Sequence, residues 1–253
     1  LIYGAASSGF LLFGISYVFG LTGSLALADT VEILGAGLME KIALLMVFVG
    51  IAFKLAAFPL HFWAPDVYQG APTPITAYLA VASKAAGLVA AVRIFFPGIV
   101  SPGEDIVLSL GWEPVFWAAS ILTMTVGNLA ALRQTSLKRM LAYSSIAHAG
   151  YMLMVFTIPG PEAIEAMMFY LVAYLVMNLG AFMVVMYLEN IAGTDDISAF
   201  QGLIRVKPMI VVVMAILLFS LTGLPPTFGF VGKVLIFGAV VKAGLENPEM
   251  GFF

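Results

Sequence analysis

The chain has 253 residues, 62% hydrophobic and only 10% charged, where soluble domains carry about 25% charged residues. A surface of that composition, with mean hydropathy +1.07, is not wetted by water, so a soluble enzyme is excluded and a polytopic membrane protein is expected. Formal net charge −3 leaves no basic face for nucleic acid, and the lack of cysteine removes disulfides, thiolate metal sites and a thiol nucleophile.

Seven apolar segments follow in order, at 1–24, 42–64, 74–96, 114–133, 138–158, 163–190 and 208–242. A membrane span takes ~20 mostly apolar residues. None of the segments alternates apolar and polar residues as a barrel strand would. Lipid offers the backbone no hydrogen bonds, so each segment is expected to be a helix. The chain opens on "LIYGAASSGF", with neither a methionine nor a charged leader, and stops at "KAGLENPEMGFF". It reads as one transmembrane domain over 1–253, part of a longer protein.

The connections alternate in charge. Asp29, Glu32, Glu40 and Lys41 follow the first segment, Glu104, Asp105 and Glu113 the third, and Glu162 and Glu165 the fifth. Arg133, Lys138 and Arg139 follow the fourth, while Arg205 and Lys207 follow the sixth, mixed with Glu189, Asp195 and Asp196. Positive residues mark the cytoplasmic side. The first segment therefore starts inside, and the loop around Asp66 is cytoplasmic. Asp66 is expected to cap an exposed helix end. Lys138 and Arg139 read as anchors at the interface, and Pro72 and Pro74 start the third span.

Two segments are irregular. The second carries Pro59 and Pro65, and the seventh reads "LLFSLTGLPPTFGFVGKVLIF", with Pro225 and Pro226. Proline deletes a helical hydrogen bond and clashes with the preceding turn. Broken backbone at membrane depth survives only inside protein or beside water. Such breaks in corresponding segments point to an ion or substrate site.

Lys54, Lys84 and Lys233 each lie more than a turn inside an apolar segment. Three central lysines facing lipid would cost on the order of 10 kcal/mol, so a wet cavity, a partner or loss of the proton is needed. Snorkelling, the bland alternative, is hard from mid-span. A buried lysine is able to give up and regain its proton, whereas arginine holds it. The choice of lysine favours proton translocation over a static ion pair. Lys54 and Lys84 are expected at similar depth, close enough to pass a proton through water.

His61, in "PLHFWAPD", either relays protons toward the cytoplasm or bonds backbone freed by Pro59. His148, Ser144 and Ser145 of "AYSSIAHAGYM" share neighbouring helix faces and line a water path, or else pack helices together. Tyr143, Tyr151, Tyr170, Tyr174 and Asn178 are able to hold water, with core packing as the default. Arg93 reads as a snorkelling residue near the outer face. His61 and His148 are too far apart for a structural metal site, and no Walker sequence, GxGxxG loop or Cys₄ cluster is present.

These motifs resemble the antiporter-like proton-translocating membrane subunits of respiratory complex I, an NADH-quinone oxidoreductase, and its relatives. The likeness rests on "FKLAAFPLHFWAPDVYQGAPTPITAYLAVASKAAG", "LKRMLAYSSIAHAGYM" and "SLTGLPPTFGFVGKV", and spans essentially the whole chain. "PDVYQGAP" and the lysine at 233 place it nearer the N-type than the M- or L-type subunits. The resemblance implies a fourteen-helix parent with two inverted five-helix repeats, of which this chain holds helices six to twelve. It makes Lys54, Lys84 and Lys233 the lysines of helices seven, eight and twelve. The glutamate that pairs with the helix-seven lysine lies on the preceding helix, before residue 1. NADH, FMN, iron–sulfur clusters and quinone are expected in other subunits, with no cofactor in this chain. The expected partners are other membrane subunits, the lipid bilayer and protons, in an energy-transducing membrane such as a bacterial inner membrane. A cation/proton antiporter or membrane-bound hydrogenase subunit is the runner-up. An organic-solute carrier fits less well, because the buried polar groups are strung out rather than gathered in one pocket. A pure scaffold has no use for three buried lysines.

Overall fold

The structure is a computed structural model that describes residues 2–27, 37–96, 111–158 and 160–246. The acidic Asp29, Glu32, Glu104 and Asp105 lie outside these residues. The chain is helical, with nine principal helices among the described residues. They are α1 Ile2–Thr22, α2 Leu38–Leu55, α3 Trp63–Gly70, α4 Thr73–Phe95, α5 Glu113–Ala131, α6 Leu137–Leu153, α7 Pro161–Ala192, α8 Pro208–Thr222 and α9 Phe228–Glu246. A 3-10 turn, Met154–Thr157, prolongs α6.

The seven apolar segments reappear, and the two irregular ones are divided. The second becomes α2 and α3, with residues 56–62 between them. The helix stops at Leu55, before Pro59, because Ala56 turns into the left-handed region at φ 55°. Its released groups find new partners. Trp63 Nε1 donates to the Phe53 carbonyl at 3.0 Å, and the Phe58 amide donates to Thr123 Oγ1 at 2.9 Å. The seventh segment becomes α8 and α9, parted by residues 223–227. Both breaks contain a cis peptide bond, Phe58–Pro59 and Pro225–Pro226. Within α4 the stretch Leu79–Ser83 widens into a π-helical turn immediately before Lys84, which no glycine or proline there announces.

The chain's expected alternation of sides is visible in how its loops meet. Arg139 Nη1 pairs with Asp66, Ser136 Oγ bonds Asp195, and the Ile197 amide donates to the Thr135 carbonyl at 2.9 Å. The connections after the second, fourth and sixth segments therefore share one end. At the other end Lys242 of α9 pairs with Glu162 of α7 at 2.8 Å. Asp66 is thus not a helix cap. Helix α3 has no side-chain cap, and its carboxylate goes to Arg139 instead.

Lys138 is also no simple interface anchor. It is 5% exposed, pairs with Glu189 at 3.0 Å and reaches the Ala71 carbonyl at 3.4 Å, while Thr73 Oγ1 donates to the same carboxylate. This cluster ties the start of α4 to α6 and α7. Glu189→Ala leaves a buried ammonium without its carboxylate, so the purified complex should lose about 2–4 kcal/mol of stability. Asp66→Asn, at an exposed pair, should cost under about 1 kcal/mol. The thermal midpoints of the two variants check this ordering, and equal midpoints would contradict it.

α6 is the centre of the bundle, with 72% of its most apolar stretch buried against 11% for α1. It packs on α5 so closely that a Cβ on Gly127 would stand 2.6 Å from the Ala147 nitrogen. Small residues at such crossings replace the hydrophobic drive that lipid cannot supply. Toward the end that holds the Lys242–Glu162 pair, Phe48, Phe95, Phe116, Phe156 and Trp112 fill the interior, with Phe116 and Phe156 stacked at 5.1 Å. Toward the other end Tyr68, Tyr174, Phe182 and Ile146 do so.

A lysine axis through the bundle core

Lys84 is fully buried, at 0% exposure, and no carboxylate among the described residues reaches it. Its Nζ donates to the carbonyl and to the hydroxyl of Ser145, at 2.7 and 2.8 Å. The Ser145 hydroxyl in turn donates to the Ala142 carbonyl at 2.8 Å. Close by, Tyr174 donates to the Ala80 carbonyl at 3.1 Å and accepts from Asn178. A carbonyl of the π-helical turn and two hydroxyls thus polarise a site that is otherwise apolar. Such a site accepts a proton without fixing it by an opposite charge.

Lys233 sits where the second break leaves the end of α8. Its Nζ donates to the Leu221 and Thr222 carbonyls, at 3.0 Å each, and lies 4.7 Å from the centre of the Tyr151 ring. The last carbonyls of a helix have no intrahelical donor and carry its negative dipole end, so they suit a cation. Gly223, at φ 86°, closes that helix in the left-handed conformation. The Gly229 amide donates to Ser220 Oγ at 3.2 Å, which binds the start of α9 back to α8.

α6 stands between these two lysines. Ser145 faces Lys84, whereas Ser144 and His148 line a cavity of about 450 Å³ together with Asn128, Tyr151 and Lys233. His148 Nδ1 bonds the Tyr170 hydroxyl, and its ring stacks on Tyr170 at 5.7 Å. Asn128 donates to the Tyr151 hydroxyl at 2.9 Å. The two serines of one dipeptide therefore serve different lysines, because adjacent positions on a helix point about 100° apart.

The remaining expected residues are placed differently. Lys54 occupies the last turn of α2, at the break rather than mid-helix, with its side chain exposed and no hydrogen bond or ion pair among the described residues. It lies beside α4, its Cβ 3.6 Å from where a Cβ on Gly87 would stand. His61 is 4% exposed and its ring stacks with Phe58 and Phe62. It does not satisfy the backbone freed at Pro59, a task that falls to Trp63 and Thr123. Its Nδ1 has no partner among the described residues. Two features went unread in the sequence. They are the pairing of Glu189 with Lys138 and the buried phenol of Tyr68. An acidic residue on the seam of a long apolar helix was the available signal for the first, and nothing local marked the second.

The family described as NADH:quinone oxidoreductase/Mrp antiporter, TM, matches residues 1–247. NADH-quinone oxidoreductase subunit N 2 of Sorangium cellulosum (strain So ce56) is 46% identical over 256 residues, covering 96% of this chain and 50% of that protein. NADH-quinone oxidoreductase subunit N of Heliobacterium modesticaldum (strain ATCC 51547 / Ice1) is 41% identical over 254 residues, covering 100% and 52%. A chain of respiratory complex I from Thermus thermophilus with bound aureothin superposes with TM-score 0.76 at 36% identity, covering 96% of this chain and 51% of that one. A chain of the membrane-bound sulfane sulfur reductase, an archaeal respiratory membrane complex, gives TM-score 0.87 at 29% identity, covering 96% and 49%. The chain spans about half the length of the curated relatives it matches. Two helices broken at prolines, lysines beside each break and buried between them, and a match over nearly every residue agree: this chain belongs to the NADH:quinone oxidoreductase/Mrp antiporter transmembrane family.

Proposed function

We propose that the chain translocates protons as part of an N-type membrane subunit of a redox-driven NADH-quinone oxidoreductase. The observation that carries this reading is Lys84, without exposure and, among the described residues, without a carboxylate, bonded to Ser145 on the helix that also presents His148 toward Lys233. A proton held by neutral oxygens is free to move when charge changes nearby. On this reading the chain corresponds to helices six to twelve of a fourteen-helix parent. It works in a bacterial inner membrane, in contact with lipid and other membrane subunits. NADH, FMN, iron–sulfur clusters and quinone belong to those other subunits, and this chain contributes the translocating half rather than redox chemistry.

Lys54 has the exposed position expected of a residue whose partner comes from outside the chain. The test is Lys54→Ala in the intact complex, reconstituted in vesicles. Protons moved per electron pair and coupled turnover should both fall, by about threefold or more. Undiminished pumping in Lys54→Ala would refute a translocating role for this residue. The family description, which includes the Mrp antiporter, keeps a cation/proton antiporter or membrane-bound hydrogenase subunit as the second reading. Proton movement that follows a sodium gradient instead of NADH oxidation would favour it.

A further inference from the structure

Tyr68 presents a feature that the lysine axis leaves unexplained. It is 0% exposed, yet its hydroxyl has no hydrogen-bond partner among the described residues. Buried hydroxyls are nearly always bonded, and an orphan calls for a reason. The ring is fixed on all sides. Phe182 and Trp63 meet it edge-on, each with ring centres 6.3 Å away, and its own carbonyl accepts from Thr76 Oγ1 at 3.0 Å. The hydroxyl itself lies near the side chains of Ser145 and Tyr174, on the group that holds Lys84. Lys84 Nζ meets both the carbonyl and the hydroxyl of Ser145. The lysine and an unused phenol thus share one serine.

The outer face of the same short helix looks toward the side where the positive loops gather. Asp66 of α3 has a side chain 75% exposed and holds Arg139. Gln69, next to Tyr68, also accepts from Arg139, at 3.3 Å. Within one turn of this short helix, a wet ion pair at Asp66 and the phenol beside Ser145 therefore lie two residues apart.

Resting on the proton-translocating reading above, we propose that Tyr68 is the relay through which protons from the loop-rich, positively charged face reach Lys84. The step balances without a charged tyrosine. A proton arriving from the Asp66 side bonds to the phenol oxygen as the phenolic proton leaves toward Ser145 Oγ. The serine's own proton turns from the Ala142 carbonyl to the neutral Lys84 amine. Both hydroxyls end neutral, with their orientations reversed, and must rotate back before the next proton. The missing bond between Tyr68 and Ser145 is then the open position of the relay, closed by a small side-chain movement or one water.

The test is Tyr68→Phe in the complete complex, which removes only the hydroxyl. Because that hydroxyl is unbonded, the thermal midpoint should stay level or rise. Coupled NADH–quinone turnover per assembled complex should fall at least about threefold, a loss of about 0.7 kcal/mol in barrier terms, and the solvent deuterium isotope effect on it should increase. Unchanged turnover and isotope effect would overturn the proposal. So would a turnover loss with no change in isotope effect, since a merely structural hydroxyl gives that pattern. Lys84→Met measured alongside separates the two failures. If Lys84→Met stops pumping and Tyr68→Phe does nothing, only the relay is wrong. If neither variant matters, the translocating role of this axis fails as well.

Discussion

Lys84→Met should leave the protein folded and stop it working. Methionine matches the length of the lysine stem and brings no charge. Removing a buried, unpaired ammonium in favour of an apolar side chain of like volume is commonly neutral or stabilising. No donor is stranded either. The Ser145 hydroxyl keeps its bond to the Ala142 carbonyl, at 2.8 Å. The assembled complex should therefore appear at normal yield and melt no lower than the parent. Coupled turnover should nevertheless drop at least tenfold, about 1.4 kcal/mol in barrier terms. Lys84→Arg should fail equally, because guanidinium keeps its proton and brings five donors to a site offering two oxygens. Ser145→Ala should cost less, since the carbonyl at 2.7 Å remains. Turnover and proton stoichiometry in vesicles are the measurements. Parental values for Lys84→Met would remove Lys84 from the path.

Gly229→Ala should do the reverse and prevent assembly. A Cβ at this position would stand 1.7 Å from the Ser220 carbonyl oxygen. That neighbour is backbone, in the last full turn of α8, and a rotamer change cannot relieve it. The second half-helix would have to move away, breaking the bond from the Gly229 amide to Ser220 Oγ. The Leu221 and Thr222 carbonyls would shift from Lys233 with it. Overpacking that involves backbone costs about 3 kcal/mol or more. Little assembled complex should be recovered, and its thermal midpoint should be well below the parent's. Gly238→Ala is the matched control. It lies later in the same helix with nothing within 4 Å of the added Cβ. Alanine there should be neutral or slightly stabilising, since helices favour it over glycine by about 1 kcal/mol. Equal recovery of the two variants would show that the packing at the second break is loose.

Much of this protein was legible in the sequence. The transmembrane class, the seven apolar segments, both proline breaks and the common side of the positive loops follow from residues read one after another. So does the choice of Lys54, Lys84 and Lys233 as the costly residues. The site's internal wiring was not legible. The split between Ser144 and Ser145, the partners of Lys233, the ion pair of Lys138 with Glu189 and the orphan hydroxyl of Tyr68 all appear only when helices are packed.

The division has a physical cause. The free energy of placing a residue in lipid is nearly additive along the chain, so hydropathy, proline and charge each speak for themselves at their own position. Hydrogen bonds between helices obey no such local rule. Lys84 and Ser145 are 61 positions apart, and Lys138 and Glu189 are 51. Whether they meet depends on how α4, α6 and α7 rotate about their axes, which close contacts such as Gly127 on Ala147 help to set. Even Lys54 shows the difference. Its presence in an apolar segment was plain from composition, but its place at the end of α2 was decided by Ala56 adopting φ 55° where the chain turns back on itself. The sequence thus determined which residues are too expensive to face lipid, and the tertiary structure decided what each of them touches.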